Sequence, residues 1–315
     1  MANRVTISTI GVMPPTASPD TEDQTLIANM IKFWQQQLDQ VLPDQPDLIV
    51  LPEMCDRYRG LARDRNRQYF QVRGEQILDF FREVARESNS YLAYSTAREA
   101  KDGTWRNSTL IIDRSGEVIG TYNKNHVVIE ETTESGILCG QEAPIIQCDF
   151  GRIACSICFD LNFDELRLKY VAAKPDVILF PSMYHGGLMQ AYWAYSCRTH
   201  FVGACCGLPS AILSPLGQIL ATSTNYFNYA TATLNLDCRV AHFDGNWSKL
   251  KALKAKYGPQ VTISDPGLLA SFLITSEADE ITAAQMVQEF EIEWLDDYMA
   301  RSLAHHHDPR HRECL

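Results

Sequence analysis

Three short apolar runs set the strongest limit on how this chain can fold. Asp47-Leu-Ile-Val-Leu51, Arg152-Ile-Ala-Cys155 and Asp176-Val-Ile-Leu-Phe180 are continuous rather than alternating. A strand with one wet face alternates polar and apolar side chains, so a continuous run suits a strand covered on both faces. Each run leads into polar or reactive residues: Pro52-Glu53, Ser156-Ile-Cys158 and Pro181-Ser-Met-Tyr-His-Gly-Gly187. Side chains just past a buried strand lie at the carboxyl edge of a sheet, where α/β proteins place their sites.

Between these runs the pattern changes period. Thr21 to Val41 places Leu26, Met30, Phe33 and Leu38 near helical spacing, and Pro43 stops it. Gly74 to Ala85 carries Ile77, Phe80, Phe81 and Val84 on one stripe. Val5 to Val12 and Tyr91 to Ser95 read as strands. Asn107–Asp113 and Glu117–Tyr122 flank Arg114-Ser115-Gly116 as a hairpin, which delivers Lys124. A polar loop with Glu130, Glu131 and Glu134 then runs to Gly140. Cys158 sits at a sharp turn, after which Leu166 and Tyr170 share a helix face. Beyond residue 182 come a helix with Tyr192, Trp193 and Tyr195 and several short strands. After about residue 240 the character shifts. Thr282-Ala-Ala-Gln285 resembles a capping box opening a helix with Val287, Phe290, Trp294 and Tyr298 along one face. The tail from His305 to Leu315 reads as disordered.

The chain has 315 residues, enough for one large domain or two ordinary ones. A formal net charge of −11 argues against nucleic acid and anionic membrane as partners. No apolar run approaches the ~20 residues of a membrane span. Met1 to Ile7 does not read as a signal peptide. With no such signal, the ten cysteines read as reduced thiols, so a cytoplasmic location is expected. Residues 1–275 are expected to form the main domain. Residues 276–315 would be a C-terminal helix and flexible tail, whose apolar stripe needs a cover. A homodimer or larger homo-oligomer is expected to supply it.

A strand-to-helix turn exposes its apex side chain and aims backbone N–H groups beside it. Both favour a thiolate at Cys158 and a developing oxyanion. Taken singly, Cys158 also reads as a buried cysteine, Glu53 as a carboxylate solvating a strand end, and Lys124 as a surface lysine. Cys155-Ser-Ile-Cys158 also reads as a redox or zinc C-x-x-C pair. In a strand, however, positions three apart point to opposite faces, and Cys205-Cys206 has the wrong spacing for a second ligand pair.

Together, Pro52-Glu53, Tyr122-Asn-Lys124 and Cys158-Phe-Asp160 resemble the Glu-Lys-Cys signatures of the carbon–nitrogen hydrolase (nitrilase) superfamily. The resemblance includes Asn107, Gly116, Gly120-Thr-Tyr-Asn-Lys124, Phe163-Asp-Glu-Leu166, Asp176 to Ser182, Trp193, Arg198 and Ser214-Pro-Leu-Gly-Gln218, in the family's order. It implies an αββα sandwich of two mixed sheets with no metal or organic cofactor. It implies Cys158 as nucleophile, Glu53 as general base and Lys124 as stabiliser of the tetrahedral intermediate. It also implies a second glutamate a few residues before a glycine. Glu134, six before Gly140, is the best match and Glu131 the runner-up. A lysine buried near a thiol tends to lose its proton, and Glu53 is neutral while it holds the thiol proton, so a second carboxylate would keep Lys124 charged. Glu134→Gln is therefore expected to lower turnover, and Glu131→Gln to be nearly silent.

The expected substrate is a small linear amide or N-carbamoyl amide. Phe159, Asn162, Met183, Tyr184 and His185 are candidates for binding it. Nitrilases usually carry Trp-Glu after the nucleophile, where this chain has Phe159-Asp160. Many relatives have Glu-Asn after the arginine that matches Arg198, where this chain has Thr199-His200. Nitrile hydrolysis by the same triad and a non-catalytic binding relative are the alternatives.

Overall fold

The computed structural model describes residues 1–313. The chain divides into two compact units. One comprises residues 5–233, and the other residues 1–4 with 234–315. The boundary expected at 275 falls inside a strand, Ser271–Ser276.

In the larger unit, β1 (Arg4–Ile10), β2 (Leu48–Val50), β3 (Tyr91–Glu99), β4 (Trp105–Ile112) and β5 (Val118–Asn123) follow one another across the first sheet. β1, β2 and β3 run parallel, and β4 and β5 return antiparallel as the expected hairpin. The second sheet holds β6 (Ile146–Gln147), β7 (Arg152–Cys155), β8 (Val177–Ser182), β9 (His200–Cys205), β10 (Ala211–Leu213) and β11 (Ile219–Thr222), also in sequence order. Here β7, β8 and β9 are parallel, with antiparallel strands outside them. β12 (Tyr229–Asn235) completes the first sheet beside β1. All three apolar runs are parallel strands whose apolar residues are buried, as continuous patterning requires.

Helices cover the outer faces. α1 (Asp23–Leu38), α2 (Arg63–Arg73) and α3 (Gln76–Ser88) lie on the first sheet, where Trp34, Phe81, Ile49 and Leu92 share one core. α4 (Ile129–Thr133) is a single turn leading away from β5. α5 (Asp164–Ala173) and α6 (Leu188–Cys197) cover the second sheet, burying Tyr170 and Trp193. The inner faces meet through small residues. Thr9 Oγ1 donates to the Gly203 carbonyl at 2.9 Å, and a Cβ on Gly11 would lie 2.6 Å from the Cys205 carbonyl oxygen. The result is a four-layer αββα sandwich.

In the smaller unit, β13 (Cys238–His242), β14 (Val261–Ser264) and β15 (Ser271–Ser276) form an antiparallel sheet in the order β13-β15-β14. α7 (Trp247–Tyr257), α8 (Ala283–Glu289) and α9 (Leu295–His307) belong to it. The Thr282 capping box is present, with Thr282 Oγ1 accepting from the Gln285 N–H at 3.1 Å. The helix it opens ends at Glu289, and Glu291 takes a positive φ of 50° before α9 starts. The stripe is therefore split between two helices. Val287, Phe290 and Trp294 pack with Phe272 and Ile274 of the unit's own sheet, and Tyr298 stacks on His242. That apolar surface is already covered, so it supplies no argument for a partner chain. The expected disorder from His305 is also not seen, since α9 continues to His307 and a 3-10 turn spans Pro309–His311. Residues 314 and 315 lie outside the described part.

Candidate active site

The site forms where β2, β5, β7 and β8 end. β2 closes at Val50, and Glu53 follows in a turn whose next residue, Met54, has φ 49°. Glu53 is 3% exposed. The Lys124 N–H donates to the Asn107 carbonyl at 2.8 Å, and the Lys124 carbonyl accepts from Gly140 N–H at 2.7 Å. That close approach explains the glycine, because a Cβ on residue 140 would lie 2.2 Å from the Asn123 carbonyl oxygen. Cys158 opens a 3-10 turn at the end of β7 with φ 49°, strained for a residue with a Cβ. Strain of this kind holds a reactive side chain out of regular structure at the apex of an elbow.

A hydrogen-bond network joins these loops. Asp160, fully buried, accepts from the Ile157 N–H at 2.9 Å and the Tyr122 hydroxyl at 2.6 Å through one oxygen. Its other oxygen accepts from the His126 N–H at 2.7 Å and lies 2.9 Å from His126 Nδ1. The His126 ring stacks on Phe163 at 4.1 Å. One carboxylate thus ties the Lys124 loop to the Cys158 elbow.

Lys124 Nζ lies 2.9 Å from Glu53 Oε1 and 2.6 Å from Glu131 Oε2. Asn107 Nδ2 donates to both carboxylates, at 2.8 and 2.9 Å. The Met183 N–H donates to Glu53 Oε2 at 3.1 Å, and the Val128 N–H to Glu131 Oε2 at 3.0 Å. Glu134, expected beside Lys124, is exposed at the C-terminal end of α4 and pairs with Arg63. The reason is helical. Within the turn Ile129 to Thr133, Glu131 is the third residue and its carboxylate folds back onto the Val128 N–H and Lys124, whereas Glu134 is the exposed residue that closes the far end. Spacing from Gly140 could not reveal that turn.

The electrostatics follow from burial and pairing. Burial pushes the Cys158 thiol up to about 12. The Glu53 charge adds to this, while Lys124 and the Met183 N–H oppose it. Burial works against the Lys124 ammonium, but Glu53, Glu131 and Cys158 outweigh it and hold its pKa above the ordinary lysine range. The expected loss of the lysine proton is thus reversed by two carboxylates.

A cavity of about 530 Å³ opens over Glu53, Lys124, Glu131 and Cys158. Its apolar wall includes Leu61, Phe70, Trp105 and Ile137, and its polar wall includes Arg57, Arg63, Arg67 and Glu134. Of the five substrate-binding candidates, Met183 lines it. Phe159 packs edge-on to Phe163 at 5.2 Å, and the Asn162 amide donates to the Phe159 carbonyl and the Tyr184 hydroxyl at 3.0 and 3.2 Å. His185 Nδ1 accepts from the Gly187 N–H at 3.1 Å. Phe159, Asn162, Tyr184 and His185 are not among the cavity lining. Sequence reasoning missed Arg57, Arg67 and Trp105; Arg67 lies on α2 (Arg-Asp-Arg-Asn-Arg-Gln-Tyr-Phe-Gln-Val-Arg), which lacks an apolar stripe that would announce a helix.

Comparison with known proteins follows the same lines. The sequence model of the family described as carbon-nitrogen hydrolase matches residues 13–240. A hydrolase of Schizosaccharomyces pombe is 22% identical over 207 residues, which cover 56% of this chain and 62% of that protein. The deaminated glutathione amidase of Dictyostelium discoideum is 23% identical over 201 residues, covering 58% and 66%. That of Bos taurus is 26% identical over 180 residues, covering 52% and 54%. The matches thus span 54% to 66% of those relatives' lengths. Among solved structures, a carbon-nitrogen hydrolase from Helicobacter pylori aligns with TM-score 0.62 at 15% identity, covering 75% of this chain and 90% of that one. A double mutant of the amidase from Nesterenkonia sp. in complex with acrylamide aligns with TM-score 0.60 at 15% identity, covering 74% and 91%. These structural likenesses concern the fold. No helix among the described residues is long and apolar enough to cross a membrane.

Proposed function

Because the chain belongs to the carbon–nitrogen hydrolase family, we propose that it hydrolyses the C–N bond of a small carboxamide or carbamoyl amide through a thioester on Cys158. The observation that carries this reading is the meeting of a thiol, two carboxylates and an ammonium at one end of a single cavity. The amidases among the relatives support it.

Cys158 rests as a thiol, so attack needs a base. Glu53 takes the proton as sulfur bonds to the carbonyl carbon and the carbonyl electron pair moves to oxygen. The Lys124 ammonium and the Phe159 N–H offset that charge; one such donor is typically worth a hundredfold or more in rate. Glu53 then gives its proton to the departing nitrogen as the C–N bond breaks. It next takes a proton from water, which attacks the thioester, and collapse returns the proton to the leaving sulfur. Glu53 therefore cycles between charged and neutral forms, and Glu131 serves as the permanent counter-ion that keeps Lys124 cationic. A homo-oligomer in the cytoplasm remains part of this reading, with contacts other than the Val287–Tyr298 stripe.

The test is a mass-spectrometric screen of linear amides, N-carbamoyl amides and nitriles with wild type and Cys158→Ala. Wild type should release ammonia or amine and carry a transient acyl adduct on Cys158, with nitriles poor. Cys158→Ala should be folded and inactive. Turnover by the purified variant above a mock preparation, or a nitrile as best substrate by kcat/KM, would overturn the reading.

A further inference from the structure

Arg98 of β3 stands directly opposite Arg106 of β4 in the hairpin ladder, and both are half-buried. Like charges facing each other across two strands destabilise the pair. Burial and the nearby Arg106 charge lower the Arg98 pKa below the ordinary arginine range. The partners the two side chains do have are neutral. Arg98 Nε donates to the Ser108 hydroxyl at 3.1 Å, which in turn donates to Asn123 Oδ1 at 2.7 Å. Arg106 Nη1 donates to the Thr104 hydroxyl at 2.7 Å and to the Trp105 carbonyl at 2.9 Å. Asp102 meets Arg106 through that same Thr104 hydroxyl, which donates to it at 2.5 Å. Among the described residues, both Nη groups of Arg98 and the Nε and Nη2 of Arg106 have no partner, and neither guanidinium has a carboxylate at ion-pair distance.

A second cavity, of about 270 Å³, lies beside this pair, and Arg98 lines it. Its other charged and polar groups are already engaged. Arg73, Tyr94 and Thr96 converge on buried Asp56 at 2.9, 2.6 and 2.7 Å, and Glu75 pairs with Arg82 at 3.3 Å. Exposed Glu99 follows Arg98 in β3, so its side chain leaves the opposite face of the strand. Phe70, Leu78 and Leu110 give the cavity an apolar wall. Trp105 lines it too, and its buried indole N–H has no partner among the described residues. A buried donor left unpaired favours a ligand that brings an acceptor.

We propose that this end of the β3–β4 hairpin is a second binding site, for a small phosphate monoester, separate from the cavity over Cys158. Two guanidinium forks with free nitrogens suit a tetrahedral group whose three terminal oxygens can accept from both. A phosphoryl group carries about −1.5 to −2 charge at neutral pH, enough to offset the two facing cations. The apolar wall takes the organic part of the ester. Phe70, Ala97 and Trp105 line both cavities, so the ligand sits behind the wall of the active site without entering it. The site does not depend on the amide-hydrolase reading.

The test is calorimetric titration of the full chain with phenyl phosphate, inorganic phosphate and phenol at neutral pH and low salt. Phenyl phosphate should bind at least about tenfold more tightly than inorganic phosphate, and phenol should not bind measurably. Affinity should fall as pH drops through about 6, where the monoester takes up a proton. Arg98→Met and Arg106→Met should each weaken phenyl phosphate at least about tenfold, with Arg98→Lys in between. Without ligand, either methionine variant should be at least as stable as wild type, because the facing charges are gone. Arg106→Met carries the test should Arg98→Met fail to fold. Arg57→Met, which removes a cation from the active-site cavity instead, should leave the affinity within about twofold. Phenyl phosphate affinity that drops in Arg57→Met and not in the Arg98 or Arg106 variants assigns the ligand to the active site and overturns the proposal. No binding by wild type at millimolar phenyl phosphate, or phenol bound as tightly as its phosphate, overturns it as well. Inorganic phosphate bound as tightly as the ester overturns the monoester assignment in favour of free phosphate.

Discussion

Glu131 and Glu134 are three residues apart in a short charged loop, yet only Glu131 reaches Lys124 Nζ, at 2.6 Å. Glu131 also receives Asn107 Nδ2 and the Val128 N–H, so its carboxylate is fixed by three donors. Removing its charge leaves Lys124 beside a Glu53 that must become neutral during the reaction. Glu131→Gln should therefore lower kcat at least about tenfold, roughly 1.4 kcal/mol of barrier, while Glu134→Gln, at the surface with Arg63, should stay within about twofold. A crippled Glu134→Gln beside an active Glu131→Gln would restore the expectation drawn from spacing. The nucleophile makes a second prediction. With its pKa pushed up to about 12 by burial and by Glu53, Cys158 is almost wholly protonated at neutral pH. Its alkylation by iodoacetamide should keep rising by about tenfold per pH unit from pH 7 to pH 10, because only the thiolate reacts. A plateau near pH 7, read by intact mass against time, would mean a thiolate already present at rest.

At the scale of elements, the elbow between β7 and α5 depends on one buried side chain. Asp160 satisfies donors from Ile157, Tyr122 and His126, and these groups lie on both of the loops that bring Cys158 and Lys124 together. Asp160→Ala would leave several buried donors unpaired, each costing about 1–3 kcal/mol. A total loss of roughly 3 kcal/mol or more is expected in urea denaturation, with activity falling too because the elbow loosens. Asp160→Asn keeps the shape but turns one acceptor into a donor, so it should fall between wild type and Asp160→Ala. An Asp160→Ala protein as stable as wild type would show that the loops are held otherwise.

For the molecule as a whole, acid tolerance should depend on buried neutral groups as well as on ion pairs. His200, at the start of β9, is buried, and burial lowers its pKa from 6.5 to about 4, against a smaller opposing effect of the Asp176 backbone. The sign follows directly. The folded state disfavours the imidazolium, so this contribution is fully present above pH 6.5 and is lost as pH falls toward 4. The interval from 6.5 to about 4 corresponds to roughly 3 kcal/mol at most. His200→Phe should therefore lose less stability than wild type between pH 7 and pH 4, by an amount approaching that figure. Denaturant titrations at the two pH values measure it, and identical losses in both proteins would refute the assignment.

What the sequence by itself determined was what local pattern can encode. Continuous apolar runs specified β2, β7 and β8, Arg114-Ser115-Gly116 specified the β4–β5 hairpin, and Thr282 with Gln285 specified the start of α8. The ordered motifs specified the family and brought Glu53, Lys124 and Cys158 into view, since each follows the end of a strand. Only the tertiary structure decided which glutamate meets Lys124, because α4 holds Glu131 at its Lys124 end and Glu134 at its far end, a difference that spacing from Gly140 does not carry. It also decided that α2 is a helix and a cavity wall. Its polar composition hides it locally, and it is held by Arg65 to Asp23 and Arg73 to Asp56, pairs 42 and 17 positions apart in the chain. The split of the Val287–Tyr298 stripe was likewise out of reach. A helical period continues through Glu291 on paper, whereas its backbone at φ 50° ends one helix so that both can lie on the same small sheet.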